Sequence, residues 1–130
     1  MIHFLVDATV IICSTFEVPI VLKGVQTWED ALEVYDQNLA GVVLSNHGGR
    51  QLDFARSGIE VLVEVVEKFK EKRGITFPND RFQLFVDGGV RRATDVLKAI
   101  ALGATAGAYL KPWNAIENFG NLRLCFSGDR

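Results

Sequence analysis

The chain has 130 residues, 48% hydrophobic and 23% charged, with a formal net charge of -2. Such a composition is that of a globular domain with apolar mass for one core, and it offers no field to hold nucleic acid or an anionic membrane. Two cysteines, Cys13 and Cys125, stand far apart without metal-ligand spacing, so they are expected to be reduced thiols of an intracellular protein that binds no metal through them.

Residues Met1 to Phe16 are apolar-rich, but His3 and Asp7 interrupt them and no basic stretch precedes them. They are too short to span a bilayer and are expected to be core-directed or displaced sequence rather than a signal. From Pro19 onward short apolar runs alternate with amphipathic stretches, the pattern of βα units around a parallel sheet. The first run, Pro19 to Lys23, leads into Gly24, and Thr27 with Asp30 is a capping pair for a helix through about Gln37. Ala31, Leu32, Val34 and Tyr35 would form its buried side. The second strand, Gly41 to Ser45, is almost wholly apolar, as expected where helices cover both faces of a parallel sheet.

A glycine-rich loop follows and ends at Ser57-Gly58-Ile59-Glu60, which reads as a capping box. Ile59, Leu62, Val63, Val66 and Phe69 recur behind it at helical spacing, and the charged run Glu67 to Arg73 reads as a solvated helix end. After turn signals at Gly74, Pro78 and Asn79, Phe82 to Val86 is the third strand. A helix from about Thr94 to Leu102 is stopped by Gly103, in a position suited to a left-handed cap, and Thr105 to Leu110 is the fourth strand. Periodicity fades beyond Lys111-Pro112-Trp113.

In a parallel barrel the reactive groups lie at the C-terminal ends of strands, and three of these four strands end in unusual polar residues. Lys23 is either a side chain snorkelling to water or a fixed positive charge that stabilises a developing anion. Ser45-Asn46-His47-Gly48-Gly49-Arg50-Gln51-Leu52-Asp53 concentrates an imidazole, a guanidinium and two glycines. His47 has the chemistry of a base near neutral pH, and Arg50 has the planar fork that suits a carboxylate. The plainer alternative has His47 capping the strand and Arg50 paired with Asp53 on the surface. Asp87-Gly88-Gly89-Val90-Arg91 resembles a phosphate cradle, with backbone N–H groups exposed by a glycine pair and a helix N-terminus close behind.

These segments, with Val21-Leu22-Lys23-Gly24-Val25 and Thr94-Asp95-Val96-Leu97-Lys98-Ala99, resemble in order and spacing the FMN-dependent 2-hydroxy-acid dehydrogenase family, which includes glycolate oxidase, lactate oxidase and flavocytochrome-type lactate dehydrogenase. The resemblance implies an α/β fold that is the C-terminal half of a (β/α)8 barrel, about four βα units. It covers residues 19–112, with 1–18 unassigned and 113–130 a divergent tail. It implies oxidation of a small L-2-hydroxy acid to a 2-keto acid with FMN as cofactor. His47 is then the base and Arg50 holds the substrate carboxylate. Lys23 and Ser45 lie by the flavin ring, and Asp87, Gly88, Gly89, Val90 and Arg91 belong to the region binding the ribityl and phosphate, with Lys111 at the end of the last strand.

A complete barrel takes about 250 residues, so this chain is expected to be a fragment that pairs with itself or another half, rearranges, or aggregates. A non-catalytic flavin- or phosphate-binding half-barrel is the alternative. The family pattern also breaks at Leu110-Lys111-Pro112, where Gly-Arg-Pro is usual. Leu110 puts a side chain where close backbone approach is expected, and Lys111 keeps charge but loses the fork. Leu110→Gly combined with Lys111→Arg is expected to tighten FMN binding in a fluorescence titration; unchanged affinity would count against this assignment.

Overall fold

The computed structural model describes residues 19–107; the expectations for Met1 to Phe16, Cys13, Cys125, Leu110, Lys111 and the tail lie outside the described residues. Four strands, β1 (Val21–Val25), β2 (Gly41–Leu44), β3 (Gln83–Val86) and β4 (Ala106–Gly107), alternate with three α-helices, α1 (Trp28–Asp36), α2 (Gly58–Arg73) and α3 (Ala93–Ala101). The sheet is wholly parallel, in the order β1-β2-β3-β4. Consecutive strands are therefore spatial neighbours, each joined to the next through a helix.

Period-two alternation divides each strand between two environments. Val42, Leu44, Leu84 and Val86 are buried in one core with Ala31, Val34, Val61, Leu62, Val65 and Phe69 of the helices. The opposite face carries Lys23, Val43 and Phe85, which are in register across β1, β2 and β3 and are only partly covered. Tyr35, Phe69, Phe77 and Phe82 pack ring to ring at centroid distances of 5.4–5.7 Å, closing the core near the strand starts.

Two expectations are corrected. The first strand begins at Val21 and continues through Gly24 to Val25, so Lys23 lies within it rather than at its end. A bulge at Gly24, whose φ is 94°, breaks the alternation. Without it Lys23 and Val25 would share a face; with it Val25 pairs with Leu44 and is 1% exposed in the core, while Lys23 stays on the open side. In α2 the buried residues are Gly58, Val61, Leu62, Val65 and Phe69, and Val63 is exposed. Leu62 and Phe69 are buried as expected and Ile59 and Val66 pack against the core, so the difference is that Val61 and Val65 take the fully buried positions and Val63 does not.

Side chains close the helix starts. Thr27 Oγ1 accepts from Asp30 N–H at 3.2 Å. At α2, Glu60 accepts from both the N–H and the hydroxyl of Ser57, at 2.8 and 2.6 Å, and these bonds hold its carboxyl below the ordinary value of 4.5. At α3, Asp95 accepts from the N–H groups of Arg91 and Arg92 at 3.1 and 2.9 Å, which lowers its carboxyl below 3.8. Both folded-state values are depressed. The stability these caps contribute is thus full above the unfolded values and is lost as pH falls through the folded ones. Urea unfolding between pH 6 and pH 3 is expected to show this loss, with a smaller slope in Glu60→Gln and Asp95→Asn; an unaltered slope would contradict it.

Candidate functional site

The C-terminal ends of β1, β2 and β3 bring four of the residues singled out in the sequence into one cluster. Asp87 follows β3 directly and its side chain is 5% exposed. A buried carboxylate is costly unless it is paired, and Lys23 Nζ lies 3.0 Å from its Oδ2. The partners come from β1 and β3, strands that are not adjacent, so the pair crosses over the end of β2. There Lys23 Nζ also donates to Ser45 Oγ at 3.1 Å. Lys23 Nζ is thus held by two partners, while its side chain remains 47% exposed.

Ser45 Oγ accepts a second bond from the His47 N–H at 3.0 Å, which fixes where the chain leaves β2. His47, Gly48 and Gly49 then occupy the left-handed region in succession, at φ 57°, 69° and 72°. That region is strained for a histidine and free for glycine. Asn46 Oδ1 accepts from Gly49 N–H at 3.1 Å and completes the tight turn. The turn brings His47 Nδ1 to 3.5 Å from Lys23 Nζ.

Lys23, Gly24, Gln26, Ser45, Asn46, His47, Gln51 and Leu52 line a cavity of about 380 Å³. Arg50 is exposed and is not in its lining. Nor does Arg50 pair with Asp53: its guanidinium has no hydrogen bond or ion pair among the described residues, which removes the plainer alternative for that residue. A larger cavity of about 620 Å³ lies between α2 and α3, walled by Ile59, Val86, Ala101 and Leu102. Its lining is mostly apolar but includes Ser57, Asp95 and Lys98, and Gly88, Gly89 and Val90 belong to it as well, so it adjoins the turn that follows β3.

The cradle after β3 is narrower than its sequence implied. Asp95 occupies the N–H groups of Arg91 and Arg92, so the start of α3 does not offer them to an anion. The N–H groups of Gly88, Gly89 and Val90 have no acceptor among the described residues, and Gly88 and Gly89 hold φ 78° and 73°. Asp87 Oδ1 is buried with no hydrogen-bond partner among the described residues. A buried acceptor without a donor calls for one from a ligand or water.

Gln26 and Asn46 escaped the sequence reading as separate contributors. Asn46 stood within the motif as a turn residue in waiting. Gln26, whose Nε2 donates to Ser45 O at 3.2 Å, lies two residues past a bulge that periodicity alone does not reveal.

The sequence and the fold are similar to those of known proteins. The profile of the family described as FMN-dependent dehydrogenase matches residues 6–116. The L-lactate dehydrogenase (cytochrome) of Wickerhamomyces anomalus is 50% identical over 109 residues, covering 83% of this chain and 18% of that protein. The peroxisomal (S)-2-hydroxyacid oxidase GLO3 of Arabidopsis thaliana is 47% identical over 93 residues, covering 72% of this chain and 23% of that one. The recombinant flavin-binding domain of baker's yeast flavocytochrome b2 superposes with a TM-score of 0.71 at 48% identity, over 78% of this chain and 25% of that structure. The chain thus spans a quarter or less of the length of these relatives.

Breaking a buried ion pair from one side costs about 3–5 kcal/mol, and the half-exposure of Lys23 reduces that here to about 1–2 kcal/mol. Lys23→Met is expected to destabilise the chain by that amount, and markedly less in an Asp87→Asn background. Urea denaturation of the two single variants and the double variant measures the coupling; additive effects would show that the pair is not a single unit.

Proposed function

This chain belongs to the FMN-dependent dehydrogenase family, and we propose that it contributes the base and part of the flavin cradle to a site that oxidises an L-2-hydroxy acid to a 2-keto acid. The observation that carries this reading is the convergence of Lys23, Ser45, His47 and Asp87 at three neighbouring strand ends. A structural role alone gives no reason to place an imidazole at φ 57° beside an ammonium.

The residues present fit FMN. Asp87 Oδ1 is a buried acceptor suited to a ribityl hydroxyl, and the free N–H groups of Gly88, Gly89 and Val90 suit phosphate oxygens. Lys23, Ser45, Asp87, Gly88, Gly89, Val90 and Arg91 are the proposed holders of the cofactor, joined by Lys111. FMN, when bound, takes up the two electrons of the oxidation.

The hydroxy acid gives up two electrons and two protons in becoming the keto acid; His47, beside Lys23, receives one of those protons on its imidazole, and the other leaves with the electrons. Arg50, whose guanidinium is unengaged among the described residues, binds the substrate carboxylate. Lys23, bonded to Ser45 and Asp87, favours negative charge on the cofactor side of the site.

The face bearing Lys23, Val43 and Phe85 needs a covering layer, because parallel sheets are stable when both faces are covered. We therefore place these four strands as part of a barrel whose other strands cover that face. Among the described residues no helix is long and apolar enough to cross a membrane.

A second reading is a flavin-binding half-barrel without catalysis. It is favoured by the absence of Arg50 from the lining of the His47 cavity. Anaerobic mixing of the FMN-loaded chain with L-lactate or glycolate separates the two. The catalytic reading expects the oxidised-flavin absorbance to bleach, and His47→Gln to slow bleaching at least about 100-fold while flavin stays bound. Flavin that binds without bleaching supports the binder, and a chain that takes up no FMN contradicts both.

A further inference from the structure

His47 and Arg50 ride on a connection that leaves β2 after Leu44 and reaches α2 at Gly58, and its helical content is confined to His47–Gly49. A connection of that length holds a reacting group to a fraction of an ångström only if both of its ends are tied down. At the first end, Ser45 N–H donates to Val25 O at 3.2 Å and Ser45 O accepts from Gln26 Nε2 at 3.2 Å. At the far end, Arg56 donates through Nη1 to Glu64 Oε2 at 2.5 Å and through Nη2 to Gln26 O at 3.0 Å. Gln26 therefore carries both ends of the loop, one on its side chain and the other on its carbonyl.

We propose that Gln26 and Arg56 are positioning residues that fix the reach of the His47–Arg50 loop, with Arg56 strapping α2 to the segment that follows β1. The Arg56–Glu64 pair is itself partly exposed, with side chains 47% and 31% accessible, and an ion pair in that setting contributes little alone. What matters is that one planar guanidinium reaches two elements at once, which a lysine ammonium cannot do in the same geometry. The carbonyl of Gln26 also lies beyond the end of β1, outside the strand ladder, so Arg56 supplies it with a donor. What the loop is positioned to do rests on the function proposed above; the strap itself does not.

Amide exchange of the full chain, read by mass spectrometry without added flavin, tests the strap independently of catalysis. Arg56→Ala is expected to speed exchange over residues 46–55 about tenfold or more, leaving the middle of α2 protected. Trypsin cleavage after Arg50 should accelerate in parallel. Arg56→Lys keeps a charge for Glu64 but not the fork, so it should behave as Arg56→Ala; restoration of native protection by lysine would overturn the proposal, as would a native loop that already exchanges as fast as the variant. Should Arg56→Ala also unprotect α2, Glu64→Gln weakens only the helix arm of the strap and is read by the same criteria. In the FMN-loaded chain, Arg56→Ala is expected to slow anaerobic flavin reduction about tenfold without altering FMN affinity, the signature of lost orientation. A chain that shows the exchange pattern but never bleaches would sink the proposed function and leave the strap standing.

Discussion

A carboxylate that loses its water must find a cation, and for Asp87 that cation is Lys23, two strands away. Much of the site follows from this one pair. It draws the ends of β1 and β3 together over β2, and Ser45 is the residue lying between them. Ser45 in turn sets the direction of the backbone into His47. The pair is possible only because the Gly24 bulge lets Val25 turn into the core while Lys23 stays on the open face. A regular strand would have left one of those side chains in the wrong environment.

The same pair leaves part of Asp87 unanswered. Oδ2 faces the ammonium, whereas Oδ1 is enclosed without a donor. Beside it the backbone of Gly88 to Val90 presents N–H groups without acceptors among the described residues. Unmatched acceptor and unmatched donors thus sit side by side. A ligand carrying hydroxyls and an anionic group would answer both, which is why the flavin reading is chemically economical as well as genealogically supported. The left-handed run from His47 to Gly49 belongs to the same logic: local strain is tolerated where it aims a side chain into a site.

Much of this was legible from residue order. Strand-helix alternation announced a parallel α/β sheet, and the Ser45 to Arg50 and Asp87 to Arg91 segments stood out as candidate site loops because glycines and ionisable groups crowd the ends of apolar runs. What escaped was anything depending on a break in periodicity or on contacts between distant segments. The bulge at Gly24 shifted the end of β1, and among the closely spaced valines of α2 it is Val61 and Val65, not Val63, that the sheet buries. The cradle seemed to own the first N–H groups of α3, yet Asp95, four residues on, had already taken those of Arg91 and Arg92. Arg56 gave no local signal, since its partners Gln26 and Glu64 lie 30 residues before it and 8 residues after it.

The central claim is that the ends of β1, β2 and β3 form one flavin site organised by Lys23 and Asp87. Titration of FMN with the chain, followed by quenching of flavin fluorescence, tests it most directly. Saturable quenching that is strongly weakened in both Lys23→Met and Asp87→Asn is the predicted result. Quenching of equal strength in the native chain and both variants would contradict it.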